Sequence, residues 1–425
     1  MTAHAALDEW LDRRYEDREP VEPLLGTLAD AGLDAAGVEA LLRQGRSRYP
    51  EPSHPRGVLS ERFELACEHV DHRAEYMVYL PLEYDARRAW PLVVIGHGGS
   101  AARDLEFGAW AAREGMEPFW YDAAETYGLV LVAPLTDRGW GAIGNSILFS
   151  AISRMTRDYH IDPDRIHVTG HSMGGHLAWR CGINFADRWG AVGPMSGGYD
   201  FVQDRQVENL YNVPGYATWG TWEPFGIAEH NRAIRDYMVA NGYAWLHAEC
   251  DGGHEIFPGE IPRVARFFLD HPRDLYRLAL RVRAGGPLEF NTAERHPGWD
   301  RVNTWKPGRP IPVGTFHWLR LSPLPADTPA DAAVQQVRAV YRGNAFEIAS
   351  VNAHRLRIHL HPAMVDFSRD LSVTVNGAQL FTGRVRPDLG TMLCLAREFD
   401  DRGRVFHAAI DIEVPEPLRG GALPA

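Results

Sequence analysis

The chain is short of several things at once. Its 425 residues hold four cysteines, Cys67, Cys181, Cys250 and Cys394, spaced too widely for a CxxC pair. Isolated thiols in cores are therefore expected rather than a disulfide or metal role. Lysine is almost missing: Lys306 stands alone, a compositional bias without chemical meaning. No apolar run approaches the roughly 18 residues that cross a bilayer, so a soluble protein with no membrane partner is expected. The first twenty residues carry Asp8, Glu9, Asp12, Glu16, Asp17 and Glu19. They offer neither a basic nor an apolar region of a secretory leader, which points to the cytoplasm. There is no internal repeat and no low-complexity tract. Positive charge is also short, 44 basic against 56 acidic residues for a net −12. A chain this acidic is poorly suited to a polyphosphate backbone, so no nucleic-acid partner is expected.

What is present is an ordinary folded composition, 45% hydrophobic and 11% aromatic, long enough for two or three domains. The charge is uneven. Residues 1–56 hold 7 basic and 11 acidic side chains, residues 57–274 hold 18 and 30, and residues 275–425 hold 19 and 15. The periodicity changes near the same places. In 1–56, Leu7, Trp10, Leu11 and Tyr15, and later Val38, Leu41 and Leu42, recur at helical spacing. This N-terminal helical segment of two or three short helices reads as a packing or dimerisation appendage, which leaves a homo-oligomer open.

From Gly57 the pattern becomes alternation of strand and helix. Residues 63–67 and 76–80 read as a hairpin-like strand pair. Short continuous apolar runs follow at 91–95, 129–133, 166–169, 191–195, 215–219 and 245–250, separated by helical stretches at 101–127, 145–159, 173–185, 228–241 and 261–269. Runs without alternation are strands buried on both faces, and strand–helix repetition gives a mostly parallel, doubly wound α/β sheet over 57–274. After His271-Pro272 the helical pattern stops. Strands are expected at 337–341, 345–350, 356–360, 371–375, 379–385 and 406–412, with Asn376-Gly377 as a type I′ hairpin turn. Residues 275–425 therefore read as a β-sandwich-like domain.

The chemistry concentrates in the middle segment. Gly170-His171-Ser172-Met173-Gly174 fits G-x-S-x-G and stands between a strand and a helix, the context that exposes a nucleophilic hydroxyl on a sharp turn. The strand at 91–95 ends in Gly96-His97-Gly98-Gly99. Acyl transfer needs two backbone N–H donors for the tetrahedral oxygen. One would come from Met173, the other from Gly99 or Gly98. Gly252-Gly253-His254 follows the last strand of the sheet and offers His254 as general base. His97, His171 and His176 are poorer candidates because they belong to the oxyanion turn or flank the nucleophile. The acid that orients His254 should follow another strand, which points to Glu223 rather than Asp200 or Asp251. His359 and His361 alternate on a strand of the last segment, and no third metal ligand is evident near them.

These residues resemble the α/β-hydrolase superfamily, in the prolyl-oligopeptidase-like branch with feruloyl esterases, polyhydroxyalkanoate depolymerases and dienelactone hydrolases. Residues 76–81 with 91–99, the run Ile161-Asp162-Pro163-Asp164-Arg165 leading into 170–175, Met195-Ser196-Gly197-Gly198, and Gly252-Gly253-His254 carry the likeness, over roughly 60–275. The chain order Ser–acid–His agrees with it. The family commonly shows His-Gly-Thr-x-Asp where this chain has Trp219-Gly220-Thr221-Trp222-Glu223, which puts a glutamate in the acid position and reshapes the pocket wall. The C-terminal region resembles accessory domains of bacterial multidomain esterases. The resemblance implies a serine carboxylic-ester hydrolase working through an acyl-enzyme, on a small-molecule or polymer ester, with no cofactor. Trp140, Trp219, Trp222 and Phe225 fall near strand ends and are expected to line an aromatic pocket for an uncharged ester. A peptidase of the same branch and a non-catalytic binding protein are the alternatives.

Overall fold

A computed structural model describes residues 2–15, 19–99, 104–198, 206–285, 306–325, 328, 333–421 and 423. Three short helices come first, α1 (Ala3–Asp12), α2 (Glu22–Asp30) and α3 (Ala35–Gln44). Thr2 and Asp34 cap α1 and α3 by accepting the N–H of Ala5 and Gly37, which satisfies donors the helix cannot.

The next stretch contributes β1 (Phe63–Ala66), β2 (Arg73–Tyr79), β3 (Trp90–Gly96), α4 (Leu105–Met116), α5 (Tyr121–Tyr127), β4 (Val130–Leu135), α6 (Ala142–Asp158), β5 (Ile161–His171), α7 (Met173–Asn184), β6 (Val192–Met195), β7 (Gly215–Gly220), α8 (Ile227–Ala240), β8 (Trp245–Cys250) and α9 (Ile261–Asp270). These eight strands form one sheet in the order β1-β2-β4-β3-β5-β6-β7-β8. β1 and β2 run antiparallel, and β3 to β8 pair in parallel. This is the mostly parallel α/β sheet that the alternating pattern implied. β3, β4, β6 and β7 are buried along their whole length, so their apolar runs need no alternation. β8 lies at the edge and is mostly half-exposed or exposed beyond Trp245.

One expected helix is two. The stretch 101–127 breaks between α4 and α5 at Pro118, whose missing N–H cannot continue the first helix. Trp120, at that break, is fully buried with Ala124, Leu131, Val264 and Phe268 in the core on that face of the sheet. The chain leaves β3 toward β4 on one side and returns to β5 on the other. Side chains at the carboxyl ends of β3 and β5 therefore meet at a topological switch point, where open α/β sheets bind their ligands.

The last stretch holds β9 (Ala279–Gly285), β10 (Thr315–Phe316), β11 (Leu319–Leu321), β12 (Val334–Arg342), β13 (Ala345–Val351), β14 (Arg355–Leu360), β15 (Leu371–Val375), β16 (Ala378–Gly383), α10 (Leu389–Phe399) and β17 (Ala408–Glu413). β10-β11-β14-β17 form one sheet and β16-β15-β13-β12-β9 another. Asn376 and Gly377 have φ of 49° and 81° between the paired residues Val375 and Ala378, the two positive φ values a type I′ turn demands. Helical pattern does not stop at His271: α10 interrupts the strands. Its start is marked by Asp388, which accepts the N–H groups of Gly390 and Thr391.

By its contacts the chain forms two compact units. One comprises 48–273 and 290–311; the other joins 1–47 with 274–289 and 312–425. The sequence suggests three segments because charge and periodicity shift near 56 as well as near 274. Contacts unite the outer two because α1 to α3 bury Leu7, Trp10, Leu28, Val38 and Leu42 against Met392, Leu393 and Ala396 of α10. Among the described residues no helix is long and apolar enough to cross a membrane.

Candidate active site

Ser172 follows the last residue of β5 and caps α7 with φ 59° and ψ −115°. A side chain in that region is strained by about 1–3 kcal/mol, a cost that persists only where surrounding structure imposes it. Here the imposition is visible. Ser172 N–H donates to Met195 O at 3.0 Å, and Ser172 O accepts His176 N–H at 3.0 Å. The carboxyl end of β3 also presses directly on the turn: a Cβ at Gly170 or Gly174 would overlap the carbonyl oxygen of Gly96. The glycines at −2 and +2 are thus required by close approach.

Three side chains from three loops meet in series. Ser172 Oγ donates to His254 Nε2 at 2.8 Å, and His254 Nδ1 donates to Glu223 Oε2 at 2.7 Å. Glu223 comes from the turn after β7, and its other oxygen accepts Gly220 N–H at 3.2 Å. Its side chain is fully buried, whereas that of His254 is 30% exposed. Burial alone would favour a neutral Glu223. Hydrogen bonds from His254, the Ser196 hydroxyl and Gly220 N–H outweigh it and hold the carboxyl below its ordinary range.

His97 does not reach this series. Its Nε2 accepts Thr136 N–H at 3.1 Å, which leaves the proton on Nδ1, and that donates to Gly98 O at 2.8 Å. Burial also lowers its pKa, so His97 is a neutral brace for the loop after β3. His171 packs its ring 4.8 Å from that of His254. Burial, with His254 beside it, pushes its pKa down to about 4. The sequence singled out neither as base, and the geometry gives neither a hydrogen bond to Ser172.

A cavity of about 320 Å³ opens beside Ser172 and His254, and Gly98, Gly99 and His171 border it. Its apolar wall is Phe107, Trp110, Phe119, Trp120, Met195 and Ile256. None of the four aromatics expected in the wall is there. Trp140 is buried behind the loop, its Nε1 donating to His97 O at 3.1 Å. Trp219 is fully buried in the sheet, and Trp222 and Phe225 are exposed. Nearness in sequence to a strand end does not set direction, and alternate residues there face opposite sides. The wall comes mostly from α4 and the turn after it. The missed signal was the pair Phe107 and Trp110, three apart on the helix that follows the glycine loop.

No protein-family model and no curated protein matches the chain. Solved structures do. A thermostable esterase is similar at 20% identity and TM-score 0.41, over 50% of this chain and 63% of that one, less than two thirds of its length. A ferulic acid esterase is similar at 16% identity and TM-score 0.40, over 49% of this chain and 98% of that one. An S-formylglutathione hydrolase from Staphylococcus aureus is similar at 14% identity and TM-score 0.39, over 50% of this chain and 99% of that one.

Proposed function

We propose that this chain is a serine carboxylic-ester hydrolase acting on an uncharged ester with an aromatic or acyl group. The observation that carries the reading is the hydrogen-bonded series Ser172–His254–Glu223 at 2.8 and 2.7 Å, with Ser172 on a strained, glycine-flanked turn. In this arrangement His254 takes the Ser172 proton as the oxygen attacks the ester carbonyl. Glu223, buried and ionised, holds the Nδ1–H tautomer and stabilises the imidazolium. The imidazolium then gives its proton to the leaving alcohol oxygen. A water, deprotonated by the same imidazole, attacks the acyl-enzyme and releases the acid.

The tetrahedral oxyanion needs two N–H donors, and Met173 supplies one from the start of α7. Between Gly98 and Gly99 for the other, Gly99 is favoured. His97 holds the Gly98 carbonyl, and in a trans peptide the next N–H points the opposite way. Gly99 sits at φ 113°, a conformation closed to residues with a side chain. Among the described residues that line the cavity, Glu114 is the one acidic side chain and none is a lysine or arginine, which supports an uncharged substrate. We also read the two sheets after residue 275 as a β-sandwich-like accessory. Trp318, between β10 and β11, packs against Tyr341 and Phe346 of the other sheet and supports that.

Ser172→Ala should abolish p-nitrophenyl ester turnover while leaving the circular dichroism spectrum unchanged. A fluorophosphonate probe should label the wild type and not the variant. Turnover retained by Ser172→Ala, or a wild type that does not label, overturns the proposal.

A further inference from the structure

We infer that Glu39, His361 and His407 form a divalent-metal site, of the zinc type, in the compact unit that does not carry Ser172. The sequence drew attention to His359 and His361 as alternate residues of one strand. The structure separates them. His359 is buried against Phe406, and its Nδ1 has no hydrogen-bond partner. His361, just past β14, meets His407, just before β17. These strands are antiparallel neighbours with Leu360 opposite Ala408, so the two histidines occupy the next cross-strand position. His407 N–H donates to Leu360 O at 2.7 Å, and the imidazole centroids stand 5.0 Å apart at 83°.

The third ligand comes from far away in the chain. Glu39 on α3 places Oε2 at 2.8 Å from His407 Nε2 and 3.2 Å from His361 Nε2. The three ligand atoms lie within 4.8 Å of one another. Ligands bonded to a tetrahedral zinc at about 2.0–2.1 Å stand about 3.3 Å apart. Seating the ion therefore asks the widest pair to close by no more than about 1.5 Å. Two imidazoles and one carboxylate suit zinc or cobalt and do not suit calcium or magnesium, which prefer all-oxygen sets. A water would complete the tetrahedron.

The surroundings orient this set. Tyr276 stacks on the His361 ring at 4.1 Å and 11°, and Phe367 lies near-parallel to His407 at 6.4 Å. Arg43 Nε binds Glu39 Oε1 at 2.7 Å, while His361 Nε2 lies 3.2 Å from both carboxylate oxygens and His407 Nε2 meets Oε2. Both histidines are largely buried, at 10% and 5% side-chain exposure. One contact changes on binding. Ala363 N–H donates to His361 Nδ1 at 3.0 Å, which leaves the His361 proton on Nε2. The metal displaces that proton, Nδ1 becomes the protonated nitrogen, and the Ala363 bond is given up. The loss of one neutral amide hydrogen bond is small beside metal–ligand bonding. Such a site clips the N-terminal helices to the sheet end and has a structural role.

The test uses the full chain stripped with EDTA. Titration calorimetry with Zn²⁺ should show one equivalent bound per chain, and Glu39→Gln and His407→Ala should each weaken it at least about tenfold. Co²⁺ added to the wild type should give the visible absorption of a tetrahedral site, a readout that needs no variant. Absence of saturable Zn²⁺ binding overturns the inference. So does binding that both variants retain at full strength, or a Co²⁺ spectrum without tetrahedral bands.

Discussion

At the residue scale the site depends on what each side chain is held by. His254 keeps partial contact with solvent, which the proton transfers proposed for it require. Glu223 is sealed in and acts through a single bond to His254 Nδ1. Glu223→Gln preserves the shape but offers either an amide N–H or a neutral oxygen to that nitrogen. Loss of the charge that supports the imidazolium should lower kcat by about 10²–10⁴-fold with a much smaller change in KM. Steady-state kinetics on p-nitrophenyl esters reads this directly, and a variant within threefold of wild type would remove Glu223 from the series. These residues were legible because their turns use local chemistry: glycines where backbones touch, a serine between strand and helix, a histidine after the last strand. The wall residues Phe107 and Trp110 were not, because which helix face covers a strand end is settled by packing.

At the element scale the main surprise is α10. Its signals were in the sequence: Asp388 as N-cap, then Met392, Leu395, Ala396 and Phe399 on one stripe. The surrounding run of strand patterns hid them. This helix is what the N-terminal helices pack on, and Leu393 is fully buried in that cluster. Leu393→Ala should destabilise this unit by about 2–5 kcal/mol through lost burial and a residual cavity. Urea unfolding followed by circular dichroism measures it, and a loss under 1 kcal/mol would show that the cluster repacks. The Asn376-Gly377 hairpin shows the opposite case, since two residues dictate its backbone from sequence alone.

At the scale of the whole molecule, buried and half-buried histidines with depressed pKa values predict a loss of stability in acid. Burial pushes His167 and His359 down to about 3 and His247 to about 4. Their folded pKa values lie below the unfolded value near 6.5, so from that pH downward the unfolded chain binds protons the folded one refuses. Stability therefore falls as pH drops from about 6.5 toward 4, by up to about 2 kcal/mol for a fully buried histidine between pH 6.5 and 5. Glu223, also depressed, adds a loss below its unfolded value near 4.5. Urea midpoints should fall between pH 7.5 and 5. His247→Phe should reduce that fall, since neither ring nitrogen of His247 has a hydrogen-bond partner to lose. An unchanged slope would assign the acid sensitivity elsewhere.

The net −12 belongs numerically to 57–274, with the flanks at −4 and +4, but the flanks are one compact unit rather than two. Sequence by itself determined the strand–helix alternation and the turns at Ser172, Gly98-Gly99 and His254, because turn chemistry and burial period are properties of neighbouring residues. Only tertiary structure decided the cavity wall, the union of chain ends on α10 and the meeting of Glu39 with His361 and His407. Those depend on which faces pack together across hundreds of residues, and no local pattern encodes that choice.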